Sequence, residues 1–419
     1  MNNSEGTRDD LKINETAPPE WRIVKLSEVA DVVSGYGFPL KYQGKDQGTY
    51  PFVKVGDMNL SNKYVNTASN FVGREELKLL HAKVFPAGTT IFPKIGMAVY
   101  LNKFRILSVE ATFDNNVAGI VPRRLHDEFL YYYFVSRVDL KVLSNITTMP
   151  SIKKSTLENL QIPCPSLNEQ QKIAEILTTA DDAIQKVNEQ ITLTEQLKKG
   201  LMQRLLTIGI GHTKFKETEI GEIPEEWDLK PFCEVLEIRK KKKLAEVDAL
   251  YAIPMELIPD ENTYCEYKSL KEGEVIPPTY CEPGDILLPK ITPSVENGKQ
   301  GIVPNIPSGH AFATSEVYPI VSENSLTNLF TFYLLKTNLF RKPLIDSMVG
   351  TTGRQRVPKD SLFSLAFPVP PISEQNKITE ILSSIDDKLT LLSKKRENLE
   401  TIKQRLMGDL LTGKMRVKV

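Results

Sequence analysis

The sequence predicts an α+β protein built twice, with two mixed globular domains, each followed by a long helix, and the two helices packed antiparallel as a coiled coil with an internal pseudo-two-fold repeat. Three observations carry this. The stretch Pro165-Ser-Leu-Asn-Glu-Gln-Gln-Lys-Ile-Ala-Glu-Ile-Leu177 returns as Pro370-Pro-Ile-Ser-Glu-Gln-Asn-Lys-Ile-Thr-Glu-Ile-Leu382. The offset stays at 205 from Glu169 and Glu374 through Asp181 and Asp386 to Leu205 and Leu410. Globular phrases recur as well: Pro18-Pro-Glu-Trp21 as Pro224-Glu-Glu-Trp227, and Phe129-Leu-Tyr-Tyr-Tyr-Phe134 as Phe330-Thr-Phe-Tyr-Leu-Leu335.

Each long helix follows from its apolar spacing. Ile173, Leu177, Ala180, Ile184, Val187 and Ile191 step by fours and threes, as do Ile378, Leu382, Ile385, Leu389 and Leu392. That period buries one narrow stripe against another helix. The seam is interrupted at Thr194 and Lys198, and at Arg396 and Lys403. It resumes at Leu197, Leu201 and Leu205, and at Ile402, Leu406 and Leu410. About forty residues at 1.5 Å each make a rod of roughly 60 Å. Asn168 and Ser373 suit N-caps, with Glu169 and Glu374 in the first turn, where the helix dipole favours acid.

The expected division is a disordered lead-in (1–17), a first globular domain (18–163), a first rod (164–208), a linker (209–223), a second domain (224–368), a second rod (369–412) and a tail (413–419). Within the domains, short runs rich in Val, Ile, Tyr and Phe, broken by Gly and Pro, read as strands. Residues 125–143 have helical spacing.

Composition excludes several classes. Lys plus Arg and Asp plus Glu both number 53, so no global field announces a polyanionic partner, although a balanced total can hide a basic face. Cys164, Cys233, Cys265 and Cys281 form no C-x-x-C pair and read as reduced thiols of a cytoplasmic protein. No apolar run suits a membrane span, and the polar N-terminus does not suit a signal peptide.

A search for chemistry finds neither a phosphate-binding G-x-x-x-x-G-K-[ST] loop nor a dinucleotide fingerprint. His81, His126, His212 and His310 stand apart from ligand spacing and read as ordinary histidines. Pro259-Asp260 followed by Glu266-Tyr-Lys268 has the letters of a metal-dependent nuclease, but the first half lacks them and a loose match reads as coincidence. No catalytic or metal-binding residue is assigned.

Two similar helices packed antiparallel imply an approximate two-fold axis, which suits a duplex with two-fold axes of its own. Before each rod lies a polar loop, Thr147-Thr-Met-Pro-Ser-Ile-Lys-Lys154 and Gly350-Thr-Thr-Gly-Arg-Gln-Arg356. Arg354 and Arg356 suit guanine or phosphate, and Gln355 suits adenine. Thr147, Thr148, Thr351, Thr352, Lys153 and Lys154 suit phosphate. Lys94 and Lys290, each after a proline at matched positions, complete the DNA-binding candidates. For any one of these charges the ordinary reading is a solvated surface group. Arg239 to Lys243 reads equally as a phosphate-contacting edge or a solvated turn.

The Trp-led domain, the Pro-rich entry, Glu-Gln-x-x-Ile-x-x-Ile-Leu-x-x-x-Asp-Asp, the helix ending Leu-Met-x-x-Leu-Leu-Thr and the duplication of the whole resemble the specificity subunit of a type I restriction-modification system, over about residues 18–416. The resemblance implies that each domain reads one half of an asymmetric, interrupted site in double-stranded DNA, with the rods as spacer. It implies partners: modification subunits that bind S-adenosylmethionine and dock on the rods, and restriction subunits that use ATP and Mg²⁺. This chain itself would need no cofactor. The alternative from another class is a coiled-coil adaptor whose globular domains bind proteins.

Overall fold

The computed structural model describes residues 18–145, 149–242, 250–323, 325–351 and 353–418. The expected lead-in lies outside them, as do Thr147, Thr148, Thr352 and Lys243. The chain separates into two compact units. One joins the residues up to Val187 to those from Lys395 onward, and the other is Asn188–Lys394.

In the first unit a five-stranded sheet runs in the order Ala30–Ser34, Val117–Pro122, Thr90–Pro93, Arg105–Leu107, Tyr64–Val65. The second unit repeats the scheme with four strands: Leu236–Ile238, Val317–Ser322, Ile286–Pro289, Gly301–Ile302. Each sheet packs against one helix whose aromatic face is buried, Asp127–Arg137 in the first unit and Asn328–Lys336 in the second. A second sheet, of three strands in the first unit and four in the second, completes each domain and shares an apolar cluster with the first sheet.

Each domain is closed by its ends. Arg22–Lys25 pairs antiparallel with Gln161–Cys164, and Asp228–Pro231 with Ala366–Val369. The closing strand leads directly into the long helix, so the rod begins where the domain is zipped shut. The helices span Leu167–Leu205 and Ile372–Leu410.

Antiparallel packing is visible inside each unit. In the first, Ile173 and Leu177 share a core with Met407, Leu410 and Leu411. In the second, Leu205 and Leu206 share one with Ile378 and Leu382. The remaining predicted seam residues are buried (Val187, Ile385, Leu392) or half-buried (Ala180, Ile184, Ile191, Leu201, Leu389, Leu406), apart from two. Leu197 and Ile402 are not in the seam, being 53 % and 50 % exposed. The alternating four-three step continues without a shift through Thr194 and Lys198 to Leu201 and Leu205, and through Arg396 and Lys403 to Leu406 and Leu410, so the polar residues read as interruptions lie in the seam and Leu197 and Ile402 fall one position outside it.

The N-caps also differ from expectation. Both helices begin two residues sooner than caps at Asn168 and Ser373 would place them, at Leu167 and Ile372, so the residues just before them are Ser166 and Pro371. Ser166 Oγ accepts from the Glu169 amide at 3.3 Å, while the carbonyl of Pro371, just before the second helix, accepts from the Glu374 amide at 2.9 Å. Part of the stretch read as a linker is ordered, as an antiparallel pair Phe215–Thr218 and Gly221–Pro224.

Candidate nucleic-acid interface

The repeated Glu-Gln of the rod entries couples each domain to its helix. Trp21 Nε1 donates to Glu169 Oε2 at 3.1 Å and Trp227 Nε1 to Glu374 Oε2 at 3.0 Å. Gln170 Oε1 accepts from the His126 amide at 2.8 Å and Gln375 Oε1 from the Thr327 amide at 2.8 Å, at the starts of the two domain helices. Each glutamine also donates to the carbonyl of the proline five residues earlier, at 2.9 Å. Buried polar groups need partners, and here the bonds tie three elements together. One further side chain completes each carboxylate: the Arg416 guanidinium for Glu169 (2.6 Å) and the His212 ring for Glu374 (2.9 Å). His212 is therefore built into the domain–rod joint, a role its isolated position in sequence does not signal.

In each unit the loop predicted from sequence meets the predicted lysine. In the second unit Val349–Thr351 and Arg354–Arg356 form a hairpin. Its turn needs glycine: Gly353 has φ +78°, and a Cβ on Gly350 would meet the Arg354 carbonyl at 2.6 Å. The hairpin is held to the segment after the strand Ile286–Pro289 by Val357 N–H to Lys290 O (2.7 Å) and Thr292 N–H to Gln355 O (3.1 Å). The first unit makes the corresponding contacts, Ile152 N–H to Lys94 O (3.0 Å) and Gly96 N–H to Pro150 O (2.8 Å). Lys94, Lys153 and Lys154 thus gather on one domain, and Lys290, Thr351, Arg354, Gln355 and Arg356 on the other.

The side chains are not equivalent. Arg354 and Thr351 are exposed, and Gln355 is half-buried. Arg356 Nη2 donates to both carboxylate oxygens of Glu316, at 2.6 and 2.8 Å. Lys290 Nζ lies 4.7 Å from the centre of the Tyr318 ring, whose hydroxyl donates to Val357 O. Burial lowers the pKa of Lys94 and of Lys290. Lys94 borders a cavity of about 170 Å³ shared with Ser34, Ser151 and Lys154. Lys153 and Lys154 are exposed, with Lys154 3.5 Å from Glu158.

Arg239 is not a phosphate edge. It reaches inward to Asp285 (2.5 Å) and Glu282 (2.8 Å), because Asp285 is buried and demands a cation. Asp260 and Glu266 do line one cavity, of about 390 Å³, with Glu256, Glu261 and Tyr264. Lys268 is not among its walls, lying instead on the strand Lys268–Ser269.

The sequence matches the family described as type I restriction modification DNA specificity domain twice, over residues 18–195 and 224–401. The chain belongs to that family. The type I restriction enzyme MjaVIII specificity subunit of Methanocaldococcus jannaschii is 28 % identical over 417 residues, covering 96 % of this chain and 94 % of that one. The putative MjaX specificity subunit of the same organism is 28 % identical over 422 residues, covering 96 % and 95 %. Among solved structures, the type I restriction-modification S subunit from M. genitalium superposes with a TM-score of 0.56 at 16 % identity, covering 95 % of this chain and 97 % of that one. A chain from a study of type I R-M complex assembly and conformational transition gives 0.54 at 18 %, covering 95 % and 99 %. The fold is therefore that of type I specificity subunits, and the adaptor reading is not favoured.

Proposed function

We propose that the chain supplies sequence specificity to a type I restriction-modification complex. Residues 18–163 read one half of an interrupted DNA site and residues 224–368 the other, while the paired helices set the unread spacer. The observation that carries this is the equivalent construction of the two candidate surfaces from different residues: a common scaffold ending in lysines on one domain and in an arginine hairpin on the other. Arginine donates bidentately to guanine, whereas lysines act as point charges toward phosphate, so the two halves read different sequences.

The chain itself performs no catalysis in this reading. S-adenosylmethionine is held by modification subunits, and ATP and Mg²⁺ by restriction subunits, in the cytoplasm. Among the described residues no helix is long and apolar enough to cross a membrane. Modification subunits dock along the rods. Leu167 and Ile372, and Ile176 and Ile381, are exposed apolar pairs at matched repeat positions, as two copies of one partner would require.

The test is binding of the complex with its modification subunit to duplexes carrying its own site, identified by sequencing methylated DNA. Arg354→Ala is expected to cost about 1–3 kcal/mol and to relax preference in the second half-site only. Lys153→Ala with Lys154→Ala is expected to weaken all sequences alike and to flatten the salt dependence by about one charge per lysine. Equal retention of unrelated duplexes by the wild-type complex would refute the reading.

A further inference from the structure

Resting on that function, we infer that Asp181 and Asp386 are positioning residues that hold each recognition domain at a fixed setting on its rod, and so determine which spacer length is accepted. Each carboxylate bonds two separate elements through separate oxygens. Asp181 Oδ2 accepts from the hydroxyl of Tyr132, on the helix of the first domain, at 2.6 Å, and its Oδ1 pairs with Lys403, on the second rod helix, at 2.5 Å. Asp386 does the same in the second unit. Its Oδ2 accepts from Tyr333 at 2.7 Å and its Oδ1 pairs with Lys198, on the first rod helix, at 2.5 Å.

The two sites use one design with exchanged parts. Asp181 and Asp386 share a repeat position, as do Lys198 and Lys403, so each long helix gives an acid in one unit and a base in the other. The pairs are shielded, with side chains 24 % and 24 % exposed in the first and 16 % and 17 % in the second. Surface ion pairs are weak, but removing one member of a shielded pair leaves a charge without its partner. A lysine displaced by one residue along either helix would face another side of its partner, so the pair fixes register as well as distance. The tyrosine transmits that register to the domain. Both tyrosine hydroxyls are kept protonated, by burial and then by the bond to the aspartate.

A spacer longer by one base pair moves the second half-site by about 3.4 Å, which a rigid joint refuses and a loosened one accommodates. The experiment compares complexes with modification subunits on duplexes carrying the identified site at its native spacing and one base pair longer or shorter. Asp386→Lys and Lys198→Asp are each expected to narrow the preference for native spacing by about tenfold, and the double exchange to restore most of it. Asp386→Asn, which keeps the shape and an acceptor for Tyr333, serves if the reversal does not fold. It is expected to give a smaller change of the same sign. A purely structural role lowers affinity for every spacer alike and leaves the ratio unmoved. Folded variants with the wild-type ratio overturn the positioning role alone. A wild type without spacer preference overturns the functional reading beneath it.

Discussion

Exchanging residues 18–163 for the matching segment of another family member is expected to replace one half of the recognised DNA sequence and leave the other half, and the spacer, unchanged. The strand pairing Arg22–Lys25 with Gln161–Cys164 holds the two ends of that segment together, so a foreign segment enters and leaves the scaffold at the same place. Contacts across the exchange boundary include those of the repeated motif, Trp21 to Glu169 and the Gln170 bonds at the start of the domain helix, together with Tyr132 to Asp181 and the core shared with Ile173 and Leu177. A donor that carries the same Trp and Glu-Gln positions brings compatible partners. Discrimination against the former half-site should then fall by the cost of several mismatches, each about 1–3 kcal/mol. Methylated-base sequencing of DNA modified by the chimaeric complex checks this. A change in both half-sites would show that the domains do not read independently.

Trp227→Ala is expected to destabilise the second unit by about 3–5 kcal/mol, the range for removing a large aromatic side chain from a packed core. Trp227 is fully buried among Leu205, Leu206 and Ile378, and its indole N–H is one of the bonds that hold Glu374. The substitution removes packing and leaves that carboxylate short of a partner. The chain has only 2 tryptophans, and the other, Trp21, belongs to the first unit. In the variant, indole fluorescence therefore reports the first unit alone, while circular dichroism reports both. Denaturant unfolding should show the two signals parting, with loss of helix at lower denaturant than loss of fluorescence. Coincident transitions at the wild-type midpoint would contradict the assigned role. Trp227→Phe should cost less, since it retains most of the ring and loses the hydrogen bond.

How much of this was legible in the sequence depends on the range of the interaction. Helix period is local, so the rods could be read from Ile173, Leu177 and their copies without coordinates. Duplication turned one weak pattern into two that agree. The loops before the rods and the Pro-Lys steps were visible as separate matches, but that Lys290 accepts from Val357 through its carbonyl was not. Strand pairing between segments so far apart leaves little local trace. Glu316 is one acid among many until the fold sets it against Arg356. The error at Arg239 has the same origin: a run of basic residues looks solvated until buried Asp285 claims one of them. Leu197 and Ile402 failed because apolar type was followed ahead of period: Thr194, Lys198, Arg396 and Lys403 keep the four-three step of the seam, and Leu197 and Ile402 each sit one position off it.

Met407, Leu410 and Leu411 lie in the same core as Trp21 and Phe129, although the second unit's entire sequence separates them. During synthesis the first domain's hydrophobic interior must therefore wait, with one wall missing, until the ribosome has translated past Leu411, whereas Asn188–Lys394 can fold as soon as it emerges. A nonsense mutation late in the second long helix would accordingly injure the half of the protein made first.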